Sequence, residues 1–234
     1  MSQPVWFITG VSNGFGLLLT LRALKAGHSV IGTVRNKAKH TTVVQQIEAA
    51  GGKIIEMDMT ESQESIQKKV KAAGRIDYLI NNAGYSIFGP LEQMSTLYAA
   101  SKAALEAVSE SLAKELSSFG IKVLIVNPGA FRTNFLAQVQ LSENPLPDDY
   151  KNNIVGTAIQ KFSESHNQQI GDPDKGVERI FEIVTGEGMA GELKGKVNRL
   201  VIGEDAFTRM KNNNDKLVHD FMSCEKVALS TGFD

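Results

Sequence analysis

The stretch PVWFITGVSNGFGLLLTLRALKAG, residues 4–27, decides the fold class of this chain. It begins with a short apolar run that stops at Gly10, which is typical of a strand buried on both faces of a sheet. It continues with Leu17, Leu21 and Leu24 at helical spacing before Gly27, which predicts an amphipathic helix with a glycine stop. A strand, a glycine-rich turn and a helix in this order indicate the first unit of a parallel α/β sheet.

The same alternation continues along the chain. Short apolar runs predict strands at 29–34, 53–58, 77–83, 121–129 and 197–203. Helical spacing predicts helices at 41–52, 60–74, 98–120 and 172–186, with a further helical pattern from Glu204 onward. Alternating units of this kind predict an α/β fold with a doubly wound, mostly parallel sheet that carries helices on both faces.

Side chains add detail to two of these helices. Thr60 and Gln63 have the spacing of a capping box at the start of the helix predicted at 60–74. The long helix from Tyr98 to Gly120 is marked by one apolar face, which consists of Leu105, Val108, Leu112, Leu116 and Phe119.

The bulk composition bounds the domain organisation and the partners. A length of 234 residues suits one α/β domain spanning 1–234, in which the polar segment at about 134–171 is a loop or a set of short helices. Apolar residues make up 42% of the chain, charged residues 22%, and the net charge is −1. This balance gives no electrostatic reason to propose a nucleic acid or an anionic membrane as partner.

Cysteine and histidine usage, together with the N-terminus, point to a location and away from metal chemistry. Cys224 is the only cysteine, so it has no partner for an internal disulfide or a zinc site. The N-terminus lacks the pattern of a secretory signal, and no stretch has the roughly 18 apolar residues of a membrane-spanning helix. The histidines have no metal-binding spacing. We therefore expect a cytoplasmic protein without a metal.

The glycine-rich turn is a candidate phosphate site. Gly10, Gly14 and Gly16 follow the first strand and precede an apolar helix. Glycines there permit a tight turn and a close approach of the backbone to a pyrophosphate, which rests on the helix N-terminus. The alternative is that these glycines serve packing alone, and the position of the turn favours the phosphate interpretation.

The end of the second strand bears on which dinucleotide would bind. An acidic residue there would hydrogen-bond the adenosine ribose, but this sequence has Arg35, with Lys37 and Lys39 close by. A cation suits a 2′-phosphate, so NADP(H) is favoured over NAD(H). The alternative is that Arg35 is a solvated loop residue.

Four motifs now stand in a fixed order: TGVSNGFG (9–16), NNAG (81–84), YAASK (98–102) and NPGAFRT (127–133). With these motifs, each at the right type of element, the sequence resembles the short-chain dehydrogenase/reductase family up to about residue 203. The resemblance implies a Rossmann-like fold, a nicotinamide dinucleotide cofactor, a small carbonyl or alcohol substrate, and dimers or tetramers as the usual assembly.

The resemblance also implies roles for individual residues. Tyr98 would be the general acid/base, and Lys102 its partner and a ligand of the cofactor ribose. Asp58 would accept a hydrogen bond from the adenine amino group. The remaining cofactor contacts would come from four places: the glycine turn, the end of the second strand, the end of the fourth strand and the segment after the fifth predicted strand. These residues are Gly10, Ser12, Asn13, Gly14, Phe15, Gly16, Arg35, Asn82, Ala83, Gly84, Pro128, Gly129 and Thr133.

The chemistry of the tyrosine–lysine pair can be argued from the residues alone. Hydride transfer to a carbonyl requires a proton for the developing alkoxide, and a free tyrosine, with a pKa of about 10, is a poor base at neutral pH. Lys102 lies four residues after Tyr98, on the same helix face, and a nearby ammonium can lower such a pKa by roughly 1–3 units. The alternative is an ordinary surface tyrosine and lysine.

The spacing between NNAG and YAASK departs from the family pattern. The family places on the order of fifty residues there, enough for two helices and a strand that supply a catalytic serine and a helix asparagine. Here only Tyr85 to Leu97 intervene, and the chain jumps between Thr96 and Leu97. Ser86, Ser95, Thr96 and Ser101 are the local hydroxyls; the bland roles, such as helix capping, fit them better than catalysis.

The sequence therefore predicts an NADP(H)-dependent oxidoreductase that interconverts a carbonyl and an alcohol on a hydrophobic small molecule. Phe135, Leu136 and Leu141, after Thr133, could cover the substrate pocket. The alternative is a non-catalytic dinucleotide-binding protein, or an inactive shortened variant, because the family serine and asparagine are missing. A fragment without function is a third, weaker interpretation.

Overall fold

The computed structural model describes residues 2–85, 87–88, 95–135, 140–141, 148–151, 153, 156–157, 160–161 and 168–233. The strands in chain order are β1 (Val5–Ile8), β2 (Ser29–Val34), β3 (Lys53–Glu56), β4 (Tyr78–Ile80), β5 (Ile87–Phe88), β6 (Ile125–Pro128), β7 (Gln140–Leu141) and β8 (Arg199–Ile202). The α-helices are α1 (Gly14–Lys25), α2 (Thr41–Ala49), α3 (Gln63–Ala73), α4 (Ser95–Glu115), α5 (Asp148–Lys151), α6 (Pro173–Thr185), α7 (Gly188–Gly191), α8 (Glu204–Ser223) and α9 (Glu225–Leu229).

The first four strands form one parallel sheet in the order β3-β2-β1-β4. In the register, Trp6 of β1 lies between Val30 of β2 and Tyr78 of β4. Alternation along β1 divides the core: Trp6 and Ile8 pack with α1, α2 and α6 on one face, and Phe7 packs with the α3 side chains on the other. This is the Rossmann-like α/β fold that the sequence predicts, with a parallel sheet and helices on both faces.

Aromatic packing anchors the α6 side of the sheet. The Trp6 indole is fully buried and stacks on Phe181 of α6 with ring centroids 5.7 Å apart. Its Nε1–H donates a hydrogen bond of 2.9 Å to Nδ1 of His28. Beside this stack, an ion pair between Arg22 of α1 and Glu178 of α6 at 2.6 Å joins the two helices, and the Arg22 guanidinium lies 3.9 Å from the centroid of the Phe181 ring. The packing of α1 against α6 therefore fixes the helix that follows the glycine-rich turn.

The sheet is interrupted after β4. The strands β6 and β8 pair with each other in parallel, but over the described residues neither joins the four-stranded sheet. The side chains that face the break are exposed: Leu79 of β4 at 56%, and Leu105 and Val108 of α4 at 52% and 54%. The apolar face that marks the long helix in the sequence is thus exposed at Leu105 and Val108.

Several element boundaries differ from the sequence prediction. The buried strand predicted at 121–129 is shorter and only half-buried as β6, since it has one neighbour instead of two. Helix α3 is capped by Ser62, whose hydroxyl accepts a hydrogen bond from the Ser65 N–H at 3.3 Å; the predicted capping box from Thr60 is wrong. Thr60 instead donates to Asp58. Most of the predicted 134–171 loop, including Leu136, lies outside the described residues, as do Ser86 and the side chains of Ser95, Thr96 and Leu141.

Candidate active site

The glycine-rich turn after β1 packs directly against the end of β4. Gly10 has a φ of +71°, and a Cβ there would come within 2.9 Å of the Ala83 backbone. Any larger residue would therefore push the two strand ends apart. The close approach fixes Gly10 and Ala83 at the carboxyl edge of the sheet, where parallel α/β folds hold their ligands.

Asn82 locks this junction with its side chain. The Nδ2 group donates hydrogen bonds of 3.0 Å to the carbonyl oxygens of Thr9 and Gly10. In return, the Thr9 hydroxyl accepts from the backbone N–H groups of Asn82 and Ala83, each at 2.9 Å. A Cβ on Gly16 would collide with Asn82 and with the Gly10 carbonyl. Asn82 and Gly16 therefore build the turn, and Thr9 is a structural partner that the motif analysis missed.

The segment after β6 lies over the same turn. Thr133 is the closest neighbour of Gly14, with its Cβ 3.8 Å from the position that a Gly14 side chain would take. The rings of Phe15 and Phe131 meet edge to face, with centroids 5.0 Å apart. The structure thus brings Gly14, Phe15 and Thr133 together, although more than a hundred residues separate the two motifs in the sequence.

The ends of β2 and β3 carry cations and two hydrogen-bonded carboxylates. Arg35 is exposed directly after β2, and within the described ranges its guanidinium forms no ion pair or hydrogen bond. The Lys37 N–H donates to the Glu56 carboxylate at 2.7 Å, which fixes the loop that carries Arg35. Asp58 accepts from the backbone N–H and the hydroxyl of Thr60, and these bonds lower the pKa of its carboxyl group below the ordinary value.

Tyr98 and Lys102 lie near the start of α4, on one side of the helix. The Nζ atom of Lys102 is 5.6 Å from the centroid of the Tyr98 ring. The same Nζ atom is 3.7 Å from the position of a Cβ built on Gly84, at the end of the NNAG motif. Lys102 therefore lies between the Tyr98 ring and Gly84, which follows β4 at the carboxyl edge of the sheet. Ser101 lies beside them, and its hydroxyl donates to the Tyr98 carbonyl at 2.7 Å, which is the local side-chain-to-backbone bond that serine commonly makes inside a helix.

A polar cluster ties α4 to the detached strand pair. Arg199 of β8 forms ion pairs with Glu106 at 2.5 Å and Glu110 at 2.9 Å, both on α4. Asn127 of β6 donates to Glu106 at 2.6 Å and accepts from Arg199 at 3.1 Å. Glu106 lies one helical turn after Lys102, so this cluster, which the sequence analysis missed, sets the position of Tyr98 and Lys102 relative to β6.

Replacing Arg199 by Leu is expected to lower the free energy of unfolding by about 1–2 kcal/mol, because Glu106 and Asn127 each lose a charged partner at a half-buried site. Urea denaturation of the two proteins measures this difference. Arg209→Leu is the matched control, since Arg209 is more exposed and its contact with Asp205 is a loose 3.9 Å.

The same variant has an expected pH dependence. The hydrogen bond from Arg199 lowers the pKa of Glu106 below its ordinary value of 4.5, and the bond from Asn127 adds to this. A carboxyl group whose pKa is lowered by folding stabilises the fold above its unfolded pKa, and this contribution is lost as pH falls through the folded value. The stability difference between wild type and Arg199→Leu should therefore be full at neutral pH and shrink below pH 4.5. A difference that stays constant down to strongly acidic pH would contradict the assignment.

The residues present fit an extended dinucleotide. Gly10 and Gly16 pack without a Cβ against Ala83 and Asn82, and this close packing forms the tight turn at the N-terminus of α1, where a pyrophosphate would rest. Asp58 and Arg35 follow β3 and β2, where the adenosine would lie, and Gly84 and Lys102 lie at the end of β4, where the nicotinamide half would lie. Pro128, Gly129 and Thr133 lie on the segment that returns to Gly14. Among the described residues, no group of three or more His, Cys, Asp or Glu side chains could hold a metal ion.

The family follows from comparison with known sequences. A family profile described as short chain dehydrogenase matches residues 4–97 and 92–144. These stretches span more than half of the chain, which therefore belongs to the short-chain dehydrogenase family. The profile matches in two pieces that meet at residues 92–97, where the chain departs from the family spacing. A shortened member of the family accounts for both the match and the interrupted sheet.

Two curated relatives give the scale of the shortening. Oxidoreductase claN of Passalora fulva is 35% identical over 182 residues, covering 56% of this chain and 83% of its own. Oxidoreductase BOA17 of Botryotinia fuckeliana is 28% identical over 255 residues, covering 86% of this chain and 89% of its own. Since 86% of 234 residues is about 200, an alignment of 255 leaves about fifty positions of BOA17 without a counterpart here. The chain is an oxidoreductase of this family.

Solved structures agree on the fold. A short-chain dehydrogenase from Streptomyces avermitilis superposes with a TM-score of 0.80 at 30% identity, covering 99% of this chain and 100% of its own. A short-chain dehydrogenase from Sphingobium yanoikuyae in complex with NADPH has a TM-score of 0.64 at 19% identity, over 94% and 95% of the chains. One from Burkholderia phymatum in complex with NAD has a TM-score of 0.71 at 15% identity, over 94% and 95%. All three share the Rossmann-like fold of this chain. Within the described part of the chain, no helix is long and apolar enough to cross a membrane.

Proposed function

We propose that this protein is an NADP(H)-dependent oxidoreductase that interconverts a carbonyl and an alcohol on a hydrophobic small molecule. The observation that carries the proposal is the position of Lys102, whose Nζ atom lies between the Tyr98 ring and Gly84. A bound nicotinamide would supply or accept the hydride. Tyr98 would donate a proton to the carbonyl oxygen during reduction and take it back during oxidation. The Lys102 ammonium would favour the ionised form of the Tyr98 hydroxyl and would bind the cofactor ribose.

The remaining site residues would bind and orient the dinucleotide. The turn with Gly10, Ser12, Asn13, Gly14, Phe15 and Gly16 would carry the pyrophosphate on the N-terminus of α1. Asn82, Ala83 and Gly84 would line the ribose, and Asp58 the adenine. Pro128, Gly129 and Thr133 would hold the carboxamide. We treat residues 1–234 as one domain in this proposal, and a cytoplasmic location and a homo-oligomer stay predictions from the sequence.

The exposed guanidinium of Arg35, which forms no ion pair or hydrogen bond with the described residues, supports NADP(H) over NAD(H). A 2′-phosphate brings roughly two negative charges to the end of β2, and an arginine can bind a phosphate through two parallel hydrogen bonds. Glu56 lies on β3 and accepts a hydrogen bond from the Lys37 N–H, while the end of β2 carries Arg35 in place of the acidic residue that binds the ribose in NAD(H)-dependent enzymes.

Replacing Arg35 by Ser is expected to raise the dissociation constant for NADPH by about tenfold or more and to leave that for NADH within about twofold, because one charge-assisted phosphate contact is lost. Titration of both nucleotides by their fluorescence measures the ratio. Lys39→Ser is the matched control, since Lys39 is a nearby exposed cation whose backbone N–H bonds Asn36. Equal changes for NADPH and NADH would contradict the NADP(H) preference.

The second candidate is a non-catalytic dinucleotide-binding protein, or an inactive shortened form. The open face of α4 favours it, because the residues that would carry the family serine and asparagine are absent from the chain. The test is NADPH consumption by the purified protein with a panel of hydrophobic ketones and aldehydes, alongside NADPH titration. Consumption that depends on the carbonyl supports the reductase; binding without consumption supports the second candidate, and no binding contradicts both.

A further inference from the structure

The carboxylate of Asp205 lies against the segment that follows β6, at residues 129–133, which we call the 129–133 loop. Its Oδ2 atom accepts a hydrogen bond of 3.0 Å from the Ala130 N–H. Its Oδ1 atom faces the Cα of Gly129, where a Cβ would collide with the carboxylate. Gly129 is thus a glycine because Asp205 occupies the space that a side chain would need.

The backbone is shaped to bring these groups together. The Gly129 N–H donates to the Ile202 carbonyl at 2.7 Å, which continues the pairing of β6 with β8 by one residue. Gly203 then has a φ of +99°, and a Cβ there would be 3.3 Å from the Gly129 Cα. This turn starts α8 one residue later and aims Asp205, in its first turn, at the 129–133 loop.

Asp205 is not explained by stability alone. Its Oδ1 atom is buried and has no hydrogen-bond partner among the described residues, an arrangement that costs free energy. A carboxylate in the first turn of a helix gains some stabilisation from the helix dipole, but the exposed Glu204 beside it would gain the same. Asp205 differs from Glu204 in its buried Oδ1 atom, its loose contact with Arg209 at 3.9 Å and, most directly for the loop, its hydrogen bond from the Ala130 N–H.

The rest of the 129–133 loop is held by contacts other than Asp205. Gly171 accepts from the Arg132 N–H at 2.9 Å and donates to the Ala130 carbonyl at 3.0 Å. Thr133 lies over Gly14 in the glycine-rich turn. The first peptide of the loop is therefore held by Asp205, its middle by Gly171, and its end lies over the turn.

We propose that Asp205 is a positioning residue that fixes the 129–133 loop, and through it the nicotinamide half of the cofactor site. This inference rests on the proposed function, in which Pro128, Gly129 and Thr133 hold the nicotinamide. It predicts that loss of the Asp205 carboxylate weakens contact with the nicotinamide and spares the adenosine half of the site, which is built from β2 and β3.

The test compares two nucleotides on three variants. NADPH reports the whole site, and adenosine 2′,5′-bisphosphate reports the adenosine half without the nicotinamide. Asp205→Ala should raise the dissociation constant for NADPH about five- to tenfold, as expected for loss of a charge-assisted hydrogen bond, and leave the bisphosphate unchanged. Asp205→Asn keeps an oxygen that accepts from Ala130 and should recover most of the affinity. Glu204→Gln, the matched control, should bind both nucleotides like the wild type.

A second readout needs no nucleotide. Amide hydrogen exchange, followed by NMR, should show the Ala130 N–H exchanging about tenfold faster in Asp205→Ala, with the Gly129 N–H, which bonds Ile202, as the internal reference. Equal weakening of both nucleotides, or failure of Asn to rescue, would overturn the positioning role. An unchanged Ala130 exchange rate would overturn the contact itself. If the wild type binds neither nucleotide, the proposed function fails, and the Ala130 exchange still decides whether Asp205 holds the loop.

Discussion

Insertion of a segment of roughly fifty residues from BOA17 between Thr96 and Leu97 is expected to stabilise the protein by about 3 kcal/mol or more and to raise its turnover about 10²–10⁴-fold. The expectation for stability follows from the side chains at the break. Leu79, Leu105 and Val108 are each about half exposed, and Leu112 is 39% exposed. Completing the burial of each contributes about 1 kcal/mol, at about 25 cal/mol per Å² of apolar surface.

The expectation for turnover follows from the site. The block would carry the serine and the asparagine that the family resemblance implies, and general acid–base groups of this kind contribute about 10²–10⁴-fold. The block would also supply the strand that joins β4 to β6 and so bring the detached β6–β8 pair into the sheet.

Urea denaturation and the carbonyl-dependent consumption of NADPH measure the two effects. The control is a flexible Gly/Ser linker of the same length, inserted at the same place, which lengthens the connection without covering Leu105 or Val108. A chimera no more stable and no more active than the linker control would show that the 234-residue chain has found its own solution to the missing strand.

Replacing Tyr98 by Phe is expected to lower kcat/KM about 10²–10⁴-fold while the dissociation constant for NADPH stays within about twofold. The substitution removes only the hydroxyl that would exchange a proton with the carbonyl oxygen, so transition-state stabilisation is lost while nucleotide contacts stay. Lys102→Met should lower kcat/KM and also weaken NADPH, since Lys102 reaches both the tyrosine ring and Gly84.

Ser101→Ala is the matched control for this pair. Ser101 lies on the same helical turn, but its hydroxyl donates to the Tyr98 carbonyl, and its loss should change kcat/KM by less than about threefold. The variants are measured in the 234-residue chain and in the BOA17 chimera, so that a slow parent does not hide the effect. A Tyr98→Phe protein as active as its parent would exclude Tyr98 as the acid/base.

The first half of the fold could be predicted from the sequence because its pattern is local. The apolar run at 4–10 and the helical spacing of Leu17, Leu21 and Leu24 decide β1 and α1 without reference to the rest of the chain. The glycine-rich turn could be recognised for the same reason, since positive φ at Gly10 and close packing at Gly16 require residues without a Cβ.

The region around the break could not be predicted in the same way. The apolar stripe at Leu105, Val108 and Leu112 indicates a helix, but a stripe does not tell whether a partner for it exists. The exposure of these side chains and the half-buried state of β6 depend on tertiary pairing, and among the described residues no strand pairs with both β4 and β6. Only the spacing between the NNAG and YAASK motifs signalled that a partner was missing.

The polar contacts that position the site are tertiary, so no motif predicts them. Arg199 meets Glu106 across 93 residues of sequence, and Ala130 meets Asp205 across 75. Thr9 is the exception, because a threonine at the end of a strand before the glycine turn is a plain candidate for bonding the neighbouring strand end. Its hydroxyl accepts from Asn82 and Ala83.

The central claim is that this chain moves a hydride between a nicotinamide and a carbonyl carbon, with Tyr98 and Lys102 handling the proton. The most direct measurement is the transfer of deuterium from NADPH labelled at the nicotinamide C4 position to the product alcohol, read by mass spectrometry. We predict that the wild-type protein places one deuterium on the former carbonyl carbon and that Tyr98→Phe does so far more slowly. Tight binding of the labelled NADPH with no deuterium in any product would contradict the claim and identify a dinucleotide-binding protein without catalysis.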